Sequence, residues 1–348
     1  MAEARAIFDQ QELAIVLSHY DLGRIVDLRD FPRGSHQAAK ILVTTDRGKF
    51  LLKRRPKGKD DPYKIAFTHA LQLYLANHHF PMPHLIGTRA DNNSMLKISD
   101  CIYEVYEFID GEPYDAGMLA TYESGKTLGL YHALVSAYQP EYPPPPGTYH
   151  GSKVVHDSIG RMQAVLAKRP SAVGHEDELA ATIGSLRETY AMAAAQANEL
   201  GLLKWEPQII HADWHPGNLI FDKQHVVAVI DYDAARVAPR VVDIANGCLQ
   251  FSMITGPRDL SAWEDRADEA RIIRFLHGYD EMNTLTHAEI RTLRFLMQEA
   301  LIAQVISPIL KRGTFAGLDG FEFLKMLRRK ADWLGQNPGA FEIDTEKE

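Results

Sequence analysis

IIHADWHPGNLIFDKQHVVAVIDYD, residues 209–233, is the stretch on which the reading of this chain turns. Two apolar, β-type runs, Leu219–Phe221 and Val226–Ile230, are joined by the short turn Asp222–Gln224, the pattern of a β-hairpin. His211, Asp213 and Asn218 precede the first run, and Asp231 and Asp233 follow the second. A hairpin brings its outer ends together. Asp213, Asn218 and Asp231 are therefore expected to converge, although eighteen residues separate Asp213 from Asp231.

An Asp and an amide facing another Asp are hard oxygen ligands, suited to Mg²⁺. Phosphoryl transfer uses such a set: an Asp and an Asn hold metal against the phosphates, and a second Asp stands beside the attacking hydroxyl. In this arrangement H-x-D-x-x-x-x-N followed by I-D is similar to the catalytic core of the aminoglycoside phosphotransferase/choline kinase superfamily, which shares the protein-kinase fold. The resemblance implies that Asp213 is the base receiving the acceptor proton and that Asn218 and Asp231 hold Mg²⁺. It further implies that His211 supports the catalytic loop from beneath and that Asp243, in VVDIAN, pins that loop.

Upstream, two apolar-rich runs, Ala39–Thr44 and Lys49–Lys53, flank the turn Asp46-Arg47-Gly48 and read as a second hairpin. Arg24–Leu28 offers a third strand, and Asp9 followed by Glu12 resembles a capping box opening a helix through about Leu17. A helix over 61–80 must end before Pro81 and Pro83. Cys101–Ile109, CIYEVYEFI, reads as a strand stopping at Asp110-Gly111. Beyond residue 110 the texture is helical, with periodic apolar positions over Tyr122–Tyr138, Leu179–Ala194, Ile290–Val305 and Phe323–Leu334.

The expected fold is therefore α+β: a bilobal, protein-kinase-like architecture with a small antiparallel-sheet N-lobe (1–109) and a larger, mainly helical C-lobe (110–348). The superfamily resemblance extends over roughly residues 20–310. It places Lys53, in GKFLLKRR, as the phosphate-binding lysine, and the backbone of Glu107, Phe108 and Ile109 as the hinge that reads adenine. It also places Gly34 and Ser35 at the nucleotide loop. Within the superfamily the homoserine-kinase-like and spore-coat-kinase-like branches look most similar. Two departures stand out: no G-x-G-x-x-G occurs in the N-lobe, and the helix YKIAFTHALQLYLANHH supplies no Glu to pair with Lys53.

Other readings of the same residues stay open at this level. His211, Asp213 and His215 alternate and could form a transition-metal site of a hydrolase, although that leaves Asn218, Asp231 and Lys53 without a role. Asp233 could assist metal or substrate, or cap a turn. Lys53 could be a solvated strand end within KRRPKGK, and Gly34-Ser35 a plain turn. A non-catalytic, kinase-shaped scaffold is the alternative from another class.

Composition is that of an ordinary globular chain: of 348 residues, 45% are hydrophobic and 24% charged. The net charge of −8 argues against a nucleic-acid partner. Two distant cysteines, Cys101 and Cys248, make a disulfide framework improbable and fit a cytoplasmic location. The N-terminus lacks the basic-then-apolar order of a signal peptide, and no run approaches the roughly 18 apolar residues of a membrane span. The expected ligands are ATP, Mg²⁺ and a small hydroxyl compound: an amino alcohol, a homoserine-like molecule, a sugar or an aminoglycoside.

Overall fold

The computed structural model describes residues 6–34 and 37–341. In chain order the elements are α1 (Gln10–Leu17), β1 (Ile25–Asp30), β2 (Lys40–Thr45), β3 (Gly48–Arg54), α2 (Pro62–Asn77), β4 (Leu85–Ile86), β5 (Leu96–Ile98) and β6 (Cys101–Glu107). There follow α3 (Met118–Val135), α4 (Lys153–Leu166), α5 (Glu176–Glu199), β7 (Pro207–Ile210), β8 (Leu219–Asp222), β9 (His225–Val229) and β10 (Arg236–Pro239). The chain continues with α6 (Val241–Ser252), α7 (Glu269–Met282), α8 (His287–Arg312), β11 (Thr314–Phe315), β12 (Leu318–Asp319) and α9 (Gly320–Gln336). The fold is α+β and kinase-like, with a small antiparallel sheet early and a larger helical part after it.

Contacts divide the chain into two units. The first holds residues 1–113, 137–145 and 218–233; the second holds 114–136, 146–217 and 234–348. The expected single cut after residue 109 differs from this grouping because the β8–β9 hairpin returns to the sheet unit. Glu112 and Phe221 exchange backbone hydrogen bonds (2.7 and 3.0 Å), and the Val229 N–H donates to Pro81 O at 2.9 Å. Gly111 permits that approach, since a Cβ there would overlap Ile220 and the Phe221 carbonyl.

In the first unit the antiparallel sheet runs β1-β2-β3-β6-β4, with β5 also on β6. Alternation drives it: β2 buries Ile41, Val43 and Thr45 and turns the intervening residues outward. Val16 and Tyr20 from the α1 side close on Val43, Leu52, Tyr103 and Val105 to make the core. Asp9 caps α1 by accepting from Glu12 N–H at 2.8 Å. The Glu12 side chain pairs instead with Arg54 and the Tyr103 hydroxyl (2.5 and 2.8 Å), so only half of the expected capping box forms.

The second unit is built on helix pairs. α3 lies against α7 through Gly125, Gly129 and Gly278, where a Cβ at Gly125 or Gly278 would overlap the Phe275 or Tyr122 carbonyl. α8 is packed by α5, α6 and α9. By length and composition α8 could cross a bilayer, contrary to the sequence expectation; with 67% of that apolar stretch buried, it is placed as a core helix.

Candidate active site

The β8–β9 hairpin forms as its sequence predicts. Lys223 and Gln224 take left-handed backbone at φ 48° and 70°, the conformation of a two-residue turn matched to strand twist. Leu219 faces Val229, and the Ile230 N–H donates to Asn218 O at 2.9 Å. Asn218 and Asp231 therefore flank the open end of the hairpin. Asn218 is buried, whereas Asp231 is exposed and takes φ 64°, which Asp tolerates better than most residues. A carboxylate and an amide oxygen at one strand end are a donor set fit for a hard divalent cation.

Asp231 lines a pocket of the first unit whose walls are both apolar and charged. Its apolar lining includes Leu51, Ile220 and the edge-on rings of Phe31 and Phe108, 5.6 Å apart. Its charged lining includes Lys40, Lys53 and Asp233. Glu107, Phe108 and Ile109, expected as the hinge, also line it. Two of their three N–H groups are engaged in the sheet, Glu107 to His84 O at 2.8 Å and Phe108 to Lys49 O at 2.9 Å. Among the described residues the Ile109 N–H has no such backbone partner.

Lys53 is held by carboxylates that do not come from α2. Its register partner on β6 is Glu104, at Nζ–Oε2 4.0 Å, and Asp233 Oδ2 lies at 3.7 Å. Arg55, nearly buried, ties the two acids together, donating to Asp233 Oδ1 at 2.6 Å and Glu104 Oε1 at 2.7 Å. α2 contributes His69, whose Nε2 is 2.6 Å from Glu104 and whose Nδ1 is 2.8 Å from the Ser94 hydroxyl. Burial alone would raise the Glu104 pKa, but the His69 hydrogen bond and the charges of Arg55 and Lys53 outweigh it and pull it down to about 2. Burial opposes the ionisation of Asp233 as well, yet Lys53 and Arg55 lower its pKa. The Asp233 side chain thus pairs with Arg55 and Lys53.

Sequence reasoning missed Glu104, Arg55, His69 and Lys40. The available signal for Glu104 was a lone charge in the middle of an apolar strand, YEV, which a fully buried sheet position tolerates only with partners. For Lys40 it was the hairpin register, which sets Lys40 directly opposite Lys53. Gly34, at φ 77°, does not line the pocket; it sits where a Cβ would collide with the Lys40 ammonium, which bonds Arg33 O at 3.1 Å. Ser35 lies outside the described residues.

The second unit holds the loop that carries His211 and Asp213. Asp243 pins it as the resemblance implies: Oδ2 accepts from His211 N–H at 2.7 Å and Oδ1 from Ala212 N–H at 2.8 Å. His132 Nε2 stands 3.3 Å from the same carboxylate, its own pKa lowered by burial. Those bonds hold Ala212 at φ 63°, a strained left-handed conformation for a residue with a Cβ. The turn breaks the expected alternation. His211 and Trp214 point into the core at 0% exposure, while Asp213 and His215 stand half-exposed, Oδ1 to Nε2 3.7 Å. The transition-metal reading of His211, Asp213 and His215 fails on this geometry, and among the described residues no three His, Cys, Asp or Glu side chains group as a metal site. Asp213 opens into a pocket floored by α6 and α8.

No curated protein matches this chain. Among solved structures the fold is similar to a microcompartment-associated aminopropanol kinase, at TM-score 0.68 and 15% identity over 96% of this chain and 98% of that one. It is similar to the amicoumacin kinase hAmiN solved with AMP-PNP and Ca²⁺ (0.65, 15%, 95% of each chain). It is also similar to a choline kinase from Streptococcus pneumoniae (0.56, 15%, 94% and 100%). The family model described as "Phosphotransferase enzyme family" matches residues 27–308, a span that includes the Lys53 pocket, the Asn218–Asp231 hairpin end and the Asp213 loop. With that match over most of its length, the chain belongs to the phosphotransferase enzyme family.

Proposed function

We propose that this protein is an ATP- and Mg²⁺-dependent kinase that phosphorylates the hydroxyl of a small molecule. The observation that carries the reading is the single pocket in which Lys53, braced by Glu104 and Asp233, shares its walls with Asp231 and the hinge. Adenine fits the apolar lining beside Phe108 and Ile109, and the triphosphate fits beside Lys40 and Lys53. An ammonium fixed between two carboxylates is a positioned point charge for phosphate oxygens. A solved structure of similar fold holds AMP-PNP, which supports a nucleotide in this role.

Asn218 and Asp231 would hold the Mg²⁺, which when bound supplies neutralisation of the phosphate charge. Asp213, five residues before Asn218 in the chain, takes the proton of the acceptor hydroxyl. The acceptor oxygen forms its bond to the γ-phosphorus as the bond to the β–γ bridging oxygen breaks, and ADP leaves. Asp243 keeps Asp213 presented by fixing the two preceding backbone amides. The chain's contribution is positioning and electrostatics, which is most of what phosphoryl transfer requires.

The test is ADP release from ATP across amino alcohols, hydroxy acids, sugars and aminoglycosides, with and without EDTA. Metal-dependent turnover on one class, lost in Asp231→Ala, is the expected result. Turnover that survives chelation, or nucleotide binding without transfer to any acceptor, would reject the reading and favour a scaffold.

A further inference from the structure

The pocket beside Asp213 has a charge inventory that constrains its occupant. It lies wholly in the second unit, between the loop of residues 210–213, β10, α6 and α8. Two acids line it. Asp243 is fully buried and engaged by His211 N–H, Ala212 N–H and His132, whereas Asp213 is half-exposed, so Asp213 is the carboxylate turned to a ligand, and the proposed chemistry uses it as base. Among the described residues the one cation in the lining is Arg236. Its guanidinium is clamped in place, Nε donating to Ala234 O at 2.8 Å and Nη1 to Gly147 O at 3.2 Å, and no carboxylate pairs with it among the described residues.

The remaining polar lining is neutral. Asn246 donates to Trp214 O at 3.2 Å, and Gln250 donates to Gln304 at 2.8 Å across α6 and α8. That leaves amide oxygens and amide N–H groups as uncharged groups able to meet a ligand. Ala300, Ala303 and Val242 form a smooth apolar wall.

A compound with several ammonium groups needs several carboxylates to replace its lost hydration. This pocket has only the base to offer and places a fixed positive charge among its walls. An anionic group gains from the same arrangement, because a planar guanidinium held by carbonyls recognises carboxylate with little ordering left to do. We infer that the acceptor is a compact hydroxyl compound bearing a carboxylate, that Arg236 binds this carboxylate, and that polycationic aminoglycosides are not substrates. The inference rests on the kinase reading above.

The test uses the full chain, Mg²⁺-ATP and a matched four-carbon series: 4-hydroxybutyrate and homoserine, neutral 1,4-butanediol, cationic 4-amino-1-butanol, and kanamycin as a polycation. Expected is a kcat/KM for a carboxylate acceptor at least about tenfold above that of 4-amino-1-butanol, and no transfer to kanamycin. Arg236→Gln should collapse the 4-hydroxybutyrate to 1,4-butanediol ratio about tenfold or more. Arg236→Lys, which keeps the charge but not the fork, should give an intermediate ratio; thermal melts of both variants check folding. Preference for the amine or for kanamycin, or a ratio untouched by Arg236→Gln, overturns the inference while leaving the kinase assignment standing. Failure of the wild type to bind ATP in calorimetry overturns both.

Discussion

Lys53 on β3 and Glu104 on β6 face each other in register, 4.0 Å apart, and the same carboxylate is gripped by Arg55 and His69. The lysine's anchor is thus part of the sheet, not a helix that can swing toward or away from it. Two cations and two acids, with Asp233 as the second acid, make the cluster neutral in sum. Neutrality is what lets it sit buried at the edge of the pocket.

Glu104→Gln should weaken both the nucleotide site and the fold, because Arg55 then keeps one carboxylate where it had two. About a tenfold or greater loss in kcat/KM for ATP is expected, with a lowered melting temperature. The pH dependence has a definite sign. The folded pKa of Glu104 is depressed from 4.5 to about 2, so its contribution is full above roughly pH 4.5 and fades as pH falls toward 2. Urea unfolding at pH 7, 4 and 2.5 should show the gap between wild type and Glu104→Gln shrinking as the medium becomes more acidic. A gap independent of pH would show that the carboxylate charge is not what stabilises the cluster.

Lys40 and Lys53 are directly opposed across β2 and β3, and both line the pocket. Like charges in that relation repel, and a phosphate between them relieves the repulsion. Lys40→Met should therefore leave the nucleotide-free protein as stable as wild type or slightly more so. It should weaken ATP binding several-fold, with less salt dependence. Calorimetric titration at two ionic strengths, set beside a thermal melt, reads both effects; unchanged affinity would remove Lys40 from the phosphate site.

Asp213→Asn should remove chemistry and spare binding. A general base contributes about 10²- to 10⁴-fold, and kcat on the preferred acceptor should fall by that amount with Mg²⁺-ATP affinity little changed. Asn preserves the shape of the half-exposed side chain. Near-normal turnover would reject Asp213 as base, and lost nucleotide binding would recast it as a metal ligand.

Ala212 is held left-handed by the two hydrogen bonds to Asp243. A left-handed residue with a Cβ is strained by about 1–2 kcal/mol, so Ala212→Gly should not destabilise the protein and should raise its unfolding free energy by up to about 1 kcal/mol. Asp243→Ala, by contrast, strips both amides of their acceptor and should destabilise by about 2–4 kcal/mol. Denaturant unfolding of the two variants checks the opposite signs.

Much of the local structure was legible in the chain itself. The β8–β9 hairpin, the Asp46–Gly48 turn and the strand bearing Lys53 follow from alternation and turn residues, which act over a few positions. For the same reason the meeting of Asn218 with Asp231 could be read without coordinates: a tight hairpin closes its own ends. The long helices were legible in existence but not in extent; the periodicity at Tyr122–Tyr138 became α3 at Met118–Val135, because helix ends depend on what they pack against.

What the sequence by itself determined is the inventory and its local pairing: the Asp213–Asn218 spacing, the hairpin that presents Asp231, and Lys53 on a strand. Tertiary structure alone decided what surrounds them. Strand register across distant segments put Glu104 behind Lys53 and Lys40 beside it. Backbone bonds from Glu112 and Pro81 drew residues 218–233 into the first unit. The packing of α6 against α8 made the Arg236 pocket. Each of these relations joins residues far apart in sequence, and such pairings are selected by the burial of the whole core rather than by any pattern along the chain.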